Sequence, residues 1–468
     1  MNKKLIYYFN IKAESPVYFG TSDKESTSLK RSDDPRALVV SGNSIGGALR
    51  EYLIRTGETQ ECLLRYMGGI KTSIQDADNT VTVKEEFKES SIYISDGEFV
   101  HPPKFLTKEG TAIDPTTGAA QHNQKYTFDY LPRGTEITFH IECDVEGDES
   151  EEQVPTERGL KQLIEKWTRG IIQGELRFGG EKSNGFGKFS LVSMERIAFD
   201  FDSLDAVDEY IFCRKNRKRE KVDLGFLDED KVIENLGVVF SLKGSFPYGV
   251  YQSFKDNSLM NDKVRVTGLQ KCGEVYFIPA TSLKGLLRSE IMLLFRKMTD
   301  CETKAKEKCS ELFGDTDRQG KLVFSDISIQ NAQTTKKVQG SNAKDESTYV
   351  PVYIKIDRLT GGAFSSALKH QNEVQGDAEI RFRLLGNGES FEESPYLFPL
   401  IYVLRRIGAG KVPLGGRTVI GLGQFEAVET VVTGSGWKSE FTNQGVLSEE
   451  STQSLKRYFE TFERWVLT

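Results

Sequence analysis

Two stretches of the chain share one glycine spacing: FGGEKSNGFGKF at 178–189 and LGGRTVIGLGQF at 414–425. The glycines are Gly179, Gly180, Gly185 and Gly187, then Gly415, Gly416, Gly421 and Gly423. Glycine reaches positive φ without steric cost, so each stretch reads as a hairpin or bulged loop between apolar residues. Bare N–H groups in such a loop can form a nest that cradles phosphate oxygens. A tight turn explains the same spacing without any ligand, and both readings stay open. Lys182 and Arg417 add one cation to each loop.

A second pair of segments carries complementary chemistry. GNSIGGALREYL (42–53) and ATSLKGLLRSEI (280–291) read as helices that begin near Ser44 and Ser282. Apolar residues recur at helical spacing, as at Leu283, Leu286, Leu287 and Ile291. Serine is a good N-cap, and the free N–H groups and dipole of a helix start favour an anion. Gly47 and Gly285 fall in the first turns. Glycine is costly inside a helix, which points to close approach by a ligand or another loop. Arg50 and Arg288 occupy equivalent places further along. A glycine loop beside a glycine-bearing helix start, present twice, is suited to tracking a nucleic-acid backbone.

Other chemistries find little support. Neither glycine loop has the Rossmann spacing, and the Walker pattern Gly-x4-Gly-Lys-Ser/Thr is absent. The six cysteines, at 62, 143, 213, 272, 301 and 309, form no Cys-x-x-Cys and read as scattered reduced thiols. The four histidines, at 101, 122, 140 and 370, avoid the repeated segments, which ranks a histidine-based processing nuclease last. The 468 residues carry 62 Lys+Arg against 69 Asp+Glu, a net charge of −7. Bulk charge argues mildly against a nucleic-acid protein, but binding follows the local field of a patch. The opening MNKKLIYYFNI reads as a β-strand and not as a leader, and no apolar run reaches membrane-spanning length. The expected location is the cytoplasm.

The elements that position these residues occur twice. SIYISDG (91–97) answers to KLVFSDI (321–327), AIDPTTGAA (112–120) to KIDRLTGGA (355–363), and RGTEITFHI (133–141) to QGDAEIRFRL (375–384). The order is the same in both halves, with offsets between 229 and 243. A period this long means whole domains in tandem and not a solenoid. The expected organisation is a first domain over 1–205, a basic linker over 206–233, a second domain over 234–432, and an extension over 433–468. The linker holds CRKNRKREKVD (213–223), read as a solvated charge run with a phosphate contact as the alternative. The extension holds an amphipathic helix at 451–467, expected to dock on the second domain.

These anchors together resemble the RAMP superfamily, in particular the Cas-seven group of backbone subunits of type III CRISPR effectors, in the fused two-domain form of type III-D systems. The carrying residues are GNSIGGALR and ATSLKGLLR, IDPTTGAA and IDRLTGGA, and the two glycine loops. The resemblance implies an α+β chain of two tandem ferredoxin-like domains, each a modified RNA-recognition fold. Thumb hairpins would project at about 97–112, with Phe99, Val100, Pro102 and Phe105, and at about 327–354, with Lys336, Lys337 and Lys344. Guide RNA would follow the glycine loops and helix starts, target RNA would pair with it, and other effector subunits would flank the chain. Lys284 keeps a lysine of the helix-start motif where Gly46 does not; Ser183 keeps a loop serine where Val419 does not. The family's catalytic aspartate would be Asp33, with Pro35 after it. Aligning Gly20 with Gly249 carries Asp33 to Asp262, which lacks the proline. The implied activity is target-RNA cleavage by the 2′-OH with Mg²⁺ or another divalent ion held at these aspartates; the alternative is a non-catalytic RNA-binding scaffold. The aromatic pattern of the RNA-recognition motif is not evident, so base stacking on the sheet is not expected.

Overall fold

The alternation in KKLIYYFNIKA builds a strand with two distinct faces. Leu5, Tyr7, Phe9, Ile11 and Ala13 enter one hydrophobic core, while Ile6, Tyr8 and Asn10 lie on the other face. A one-residue slip would turn Phe9 to the opposite face, and burying such a side chain is worth roughly 1.5–3 kcal/mol, so the register is well specified. The computed structural model describes residues 3–468 apart from 21–29, 32–37, 78–79, 114–119, 147–153, 202–203, 214–217, 226–236, 256–265, 273, 316–317, 335–351, 365–368 and 387–390. The chain divides into two units, 1–182 with 186–236, and 183–185 with 237–468.

In the first unit the elements are β1 (Lys3–Ala13), β2 (Lys30–Arg31), β3 (Leu38–Val40), α1 (Gly42–Arg55), α2 (Gln60–Met67), β4 (Gly69–Ala77), β5 (Thr80–Lys88), β6 (Ile92–Ile94), β7 (Gly97–Phe99), β8 (Leu106–Ile113), β9 (Ala120–Tyr130), β10 (Glu136–Val145), α3 (Glu157–Ile172), β11 (Phe189–Asp200), α4 (Leu204–Asp208) and β12 (Glu220–Lys221). The sheet order is β12-β11-β1-β10-β7-β3-β2, with β6 also on β10. The pairs at its centre are antiparallel. Stripped of additions, this is the β-α-β-β-α-β ferredoxin-like arrangement, β1-α1-β6/β7-β10-α3-β11. Helix α3 is capped by Thr156, which accepts from Gly159 N at 3.1 Å. Buried Trp167 ties it to α1 by donating to the Leu49 carbonyl at 3.2 Å.

The second unit contains β13 (Val238–Val250), β14 (Phe254–Lys255), β15 (Val266–Gly268), β16 (Gln270–Cys272), β17 (Val275–Ile278), α5 (Ala280–Thr299), α6 (Glu302–Phe313), β18 (Leu322–Phe324), β19 (Ile327–Thr334), β20 (Val352–Tyr353), β21 (Lys369–Gln371), β22 (Val374–Leu384), α7 (Leu397–Gly408), β23 (Glu426–Ala427), β24 (Glu429–Gly434), β25 (Trp437–Thr442) and α8 (Glu449–Leu467). Its main sheet runs β16-β17-β19-β22-β13-β24-β25, with β18 on β22 and β23 on β13. The same arrangement therefore recurs as β13-α5-β18/β19-β22-α7-β23/β24. The duplication reaches single rings: Phe9 stacks on Phe139 across β1 and β10 at 5.0 Å, and Phe240 stacks on Phe382 across β13 and β22 at 5.0 Å. Two tandem α+β units of ferredoxin-like topology are the fold.

Several boundaries differ from the sequence reading. Part of the stretch read as a linker is structured, since β12 pairs with β11 and extends the first sheet. Part of the stretch read as an extension is sheet, since β25 pairs with β24. Helix α8 buries Tyr458, Phe462 and Val466 in the second unit's core, with Phe462 stacked on Phe398 at 5.3 Å. The first projecting hairpin begins after Phe105, as β8 paired with β9, because Gly97–Phe99 is consumed as a sheet strand. Phe99 packs on the core, while Val100 and Phe105 are exposed. The second region read as a thumb starts with a main-sheet strand, β19, and Lys336, Lys337 and Lys344 lie outside the described residues. A further hairpin, β4 with β5, was not anticipated.

Candidate nucleic-acid interface

The two glycine loops are superposable in their backbone logic. Gly179, Gly185 and Gly187 have φ of 84°, 91° and 79°, and Gly415, Gly421 and Gly423 have 88°, 95° and 82°. Even the non-glycine exceptions match, Glu181 at 55° and Arg417 at 58°. Gly180 N donates to the Tyr18 carbonyl at 2.7 Å, and Gly416 N to that of Tyr251 at 2.7 Å. Gly187 N donates to Pro16 O at 2.9 Å, and Gly423 N to Gly249 O at 2.8 Å. A Cβ on Gly187 would stand 2.1 Å from the Phe178 carbonyl oxygen, and one on Gly423 1.8 Å from that of Leu414. Backbone conformation and close carbonyls thus account for these glycines, and several of their N–H groups are spent internally. The turn explanation is sufficient for the spacing. The same hydrogen bonds pair Pro16 with Gly249 and Tyr18 with Tyr251 in the two units.

The helix starts also match, but the capping residue is not the expected one. Helix α1 begins at Gly42 and α5 at Ala280, so Ser44 and Ser282 lie inside the first turns. Asp96 takes the capping role by accepting from Gly42 N at 2.7 Å, and Asp326 does so from Ala280 N at 2.8 Å. A carboxylate thus already occupies the anion position at each helix end. Ser282 instead accepts from Gln252 Nε2 at 2.8 Å, and Ser44 is exposed.

Gly47 and Gly285 are exposed, and beyond its own helix backbone and chain neighbours a Cβ at either would meet nothing within 4 Å. Neither has a positive φ. No described loop approaches them, so packing and backbone conformation leave both glycines unexplained. The glycines keep a bare strip on the first turn of each helix.

The cations of these segments have local partners. Arg50 donates to the carbonyls of Met67 (3.2 Å) and Gly68 (2.8 Å), closing the end of α2. Arg288 is exposed, and its guanidinium offsets part of the burial that pushes the Cys309 thiol up to about 11. Lys182 pairs with Glu51 at 2.5 Å. Lys284 donates to Ser183 Oγ (3.2 Å) and Asn184 Oδ1 (3.0 Å), residues that cluster with the second unit. Arg417 donates to Gln371 and lies 4.1 Å over the Tyr353 ring. Burial, then the Glu373 carboxylate, pushes the Tyr353 phenol up to about 12.

Asp33 and Asp262 lie outside the described residues. Among the described residues no group of three or more His, Cys, Asp or Glu could hold a metal ion. No helix among them is long and apolar enough to cross a membrane. The sequence reading missed the capping roles of Asp96 and Asp326, although both stood in the repeated SD motif, because a cap supplied by a distant strand has no local spacing signal.

A family model described as the RAMP superfamily matches residues 10–190 and 263–426. No curated protein matches the sequence. Among solved structures, one similar chain comes from the cryo-EM structure of type III-B Cmr-beta bound to cognate target RNA. That likeness has 14% identity and a TM-score of 0.29, covering 42% of this chain and 61% of the other.

Proposed function

The chain belongs to the RAMP superfamily, and from that premise we propose that it is a guide-RNA-binding backbone subunit of a type III CRISPR effector complex. The observation that carries this reading is the pair of unexplained glycines. Gly47 and Gly285 occupy equivalent first turns, exposed and with open space above them. A bare helix turn lets an RNA sugar-phosphate strand approach the backbone where any side chain would hold it off. Ser44 and Lys284 lie next to these strips in sequence, and the glycine-loop cations Lys182 and Arg417 add further donors for phosphate oxygens. The carboxylates capping each helix direct the strand along the exposed face and away from the helix axis. Two such surfaces in one chain fit a backbone subunit that holds two consecutive stretches of guide. The β8–β9 hairpin is then the first thumb, and other effector subunits are its neighbours.

The finer part of the proposal is cleavage of the paired target RNA. The 2′-oxygen would bond to the adjacent phosphorus in line as the P–O5′ bond breaks, and the departing 5′-oxygen would take a proton from water, giving a 2′,3′-cyclic phosphate and a 5′-hydroxyl. Asp33 and Asp262 are the groups assigned to accept the 2′-OH proton or orient that hydroxyl, and only RNA provides it. A divalent ion held at Asp33 and Asp262 would supply charge stabilisation for the phosphate.

The test is binding and cutting with the full chain. RNA affinity is expected to fall with rising salt, because phosphate contacts release counterions. Complementary target RNA should be cut in the guide-loaded complex, and EDTA decides whether a divalent ion is needed. Absence of RNA binding at low salt would overturn the reading. Binding without cutting would leave the scaffold function in its place.

A further inference from the structure

The first unit's sheet has a second face, and its cross-strand rows define a site. One row is Glu195, Tyr8 and His140, from β11, β1 and β10. The next is Ser193, Asn10, Thr138 and Glu98, which continues to Val39. On the far side of the first row, Ile6 faces Glu142, and Glu142 faces Tyr93 on β6. Apart from Ile6 and Glu142, these residues, with Ser95, Asp96 and Arg219, line a cavity of about 560 Å³, within the size range of ligand sites.

Its surfaces are flat and aromatic. Tyr8 and His140 have ring centroids 5.4 Å apart, and Tyr93 and His140 6.2 Å apart. Arg219 lays its guanidinium 3.8 Å over the Tyr8 ring, so a planar cation forms part of the platform. This residue belongs to the basic run that sequence reading left as a solvated linker. Strand β12 begins at the next residue and fixes Arg219 against the sheet, where it also pairs with Glu195 at 3.5 Å. Tyr93 is 62% exposed. The Oδ1 of Asn10, at the cavity wall, is buried without a hydrogen-bond partner.

The charges select the kind of ligand. Asp96, Glu98, Glu142 and Glu195 surround the platform, and His140 Nε2 lies 3.0 Å from Glu142. A phosphate would be repelled by this ring of carboxylates. An uncharged planar group with amino donors would not be. The opposite face of the sheet is filled by the helices, whereas the other end of this face is closed by Ile6, Ile197 and Phe199 under Tyr210. The open part is the aromatic part.

We propose that this sheet face of the first unit binds an unpaired nucleobase of single-stranded RNA, stacked on Tyr93, His140 and the Arg219–Tyr8 pair. The proposal rests on the RNA-binding reading and adds a base-contacting site away from the glycine strips. Aromatic rings and arginine planes stack any base, and carboxylates and hydroxyls accept hydrogen bonds from exocyclic amino groups.

The experiment measures fluorescence anisotropy of labelled hexaadenylate with the full chain and its Tyr93→Ala, Tyr93→Phe and Arg219→Ala variants. Both positions tested are exposed, and thermal melts identify any variant that is misfolded. Tyr93→Ala is expected to weaken binding roughly 5- to 150-fold, the range for losing one stacked base. Tyr93→Phe should restore it, and Tyr93→Ala should keep the wild-type salt slope, because stacking releases no counterions. Wild-type affinity in folded Tyr93→Ala and Arg219→Ala chains overturns the site and leaves the RNA reading standing. A wild-type chain that binds neither hexaadenylate nor a long single-stranded RNA overturns both.

Discussion

Individual residues separate what binds from what folds. Gly47 and Gly285 have no backbone reason to be glycine, since neither has positive φ and nothing described crowds them. Replacing either by alanine should stabilise its helix by about 0.5–1 kcal/mol. If the bare strip serves RNA, the same change should lower RNA affinity, so stability and binding move in opposite directions. Thermal melts and RNA titrations of Gly47→Ala and Gly285→Ala check this; a stabilised chain with unchanged affinity would remove the strip from the interface. Arg50 behaves in the other sense. Arg50→Ala should cost roughly 1.5–3 kcal/mol, as for hydrogen bonds to a charged group, through loss of its bonds to Met67 and Gly68. Urea denaturation measures the cost, and the salt slope of RNA binding should not change. The sequence could not tell these roles apart. Arg50 and Arg288 look equivalent by position, yet only the folded chain shows Arg50 spent on the end of α2.

At the scale of elements, each helix start depends on a carboxylate from the neighbouring strand. Asp96→Ala and Asp326→Ala should each destabilise by about 1 kcal/mol, the usual cost of a lost cap, and differential scanning calorimetry would register it. The strands carry a pH signature as well. Burial pushes the Cys143 thiol on β10 from 9.0 up to about 12. The folded chain then holds that proton more tightly than the unfolded chain. Stability is therefore full below about pH 9 and falls as pH climbs toward 12. The Cys143→Ala chain should show a flatter decline in urea midpoint across that window. Most elements were legible: alternation in YYFNIKA and VVFSLKG, and helical spacing in the serine segments, both became what their periodicity dictates. The glycine loops were legible as positive-φ turns. Less legible were β4 and β5, whose pairing in one hairpin has no counterpart in the repeated segments. The sheet face was hidden for a different reason. Tyr8, Tyr93, His140 and Arg219 are far apart in sequence, and only strand pairing brings them into adjacent rows.

The whole molecule is one unit used twice, with different additions. The first carries the β4–β5 and β8–β9 hairpins, and the second gains α8. Repetition predicts that RNA contacts are also doubled. It predicts two cleavage positions, with Asp33→Ala removing one product and Asp262→Ala another, at a cost of about 10²–10⁴-fold in rate for each lost group. Gel analysis of target RNA cut by guide-loaded complexes reads this directly. The central claim, though, is that both units grip one guide. The most direct measurement is the affinity of the full chain for a single-stranded guide RNA, compared with Gly47→Leu, Gly285→Leu and the double variant, all shown to be folded. Each single variant should weaken binding, and the double variant should weaken it more than either. A double variant that binds as tightly as the wild type would contradict the account.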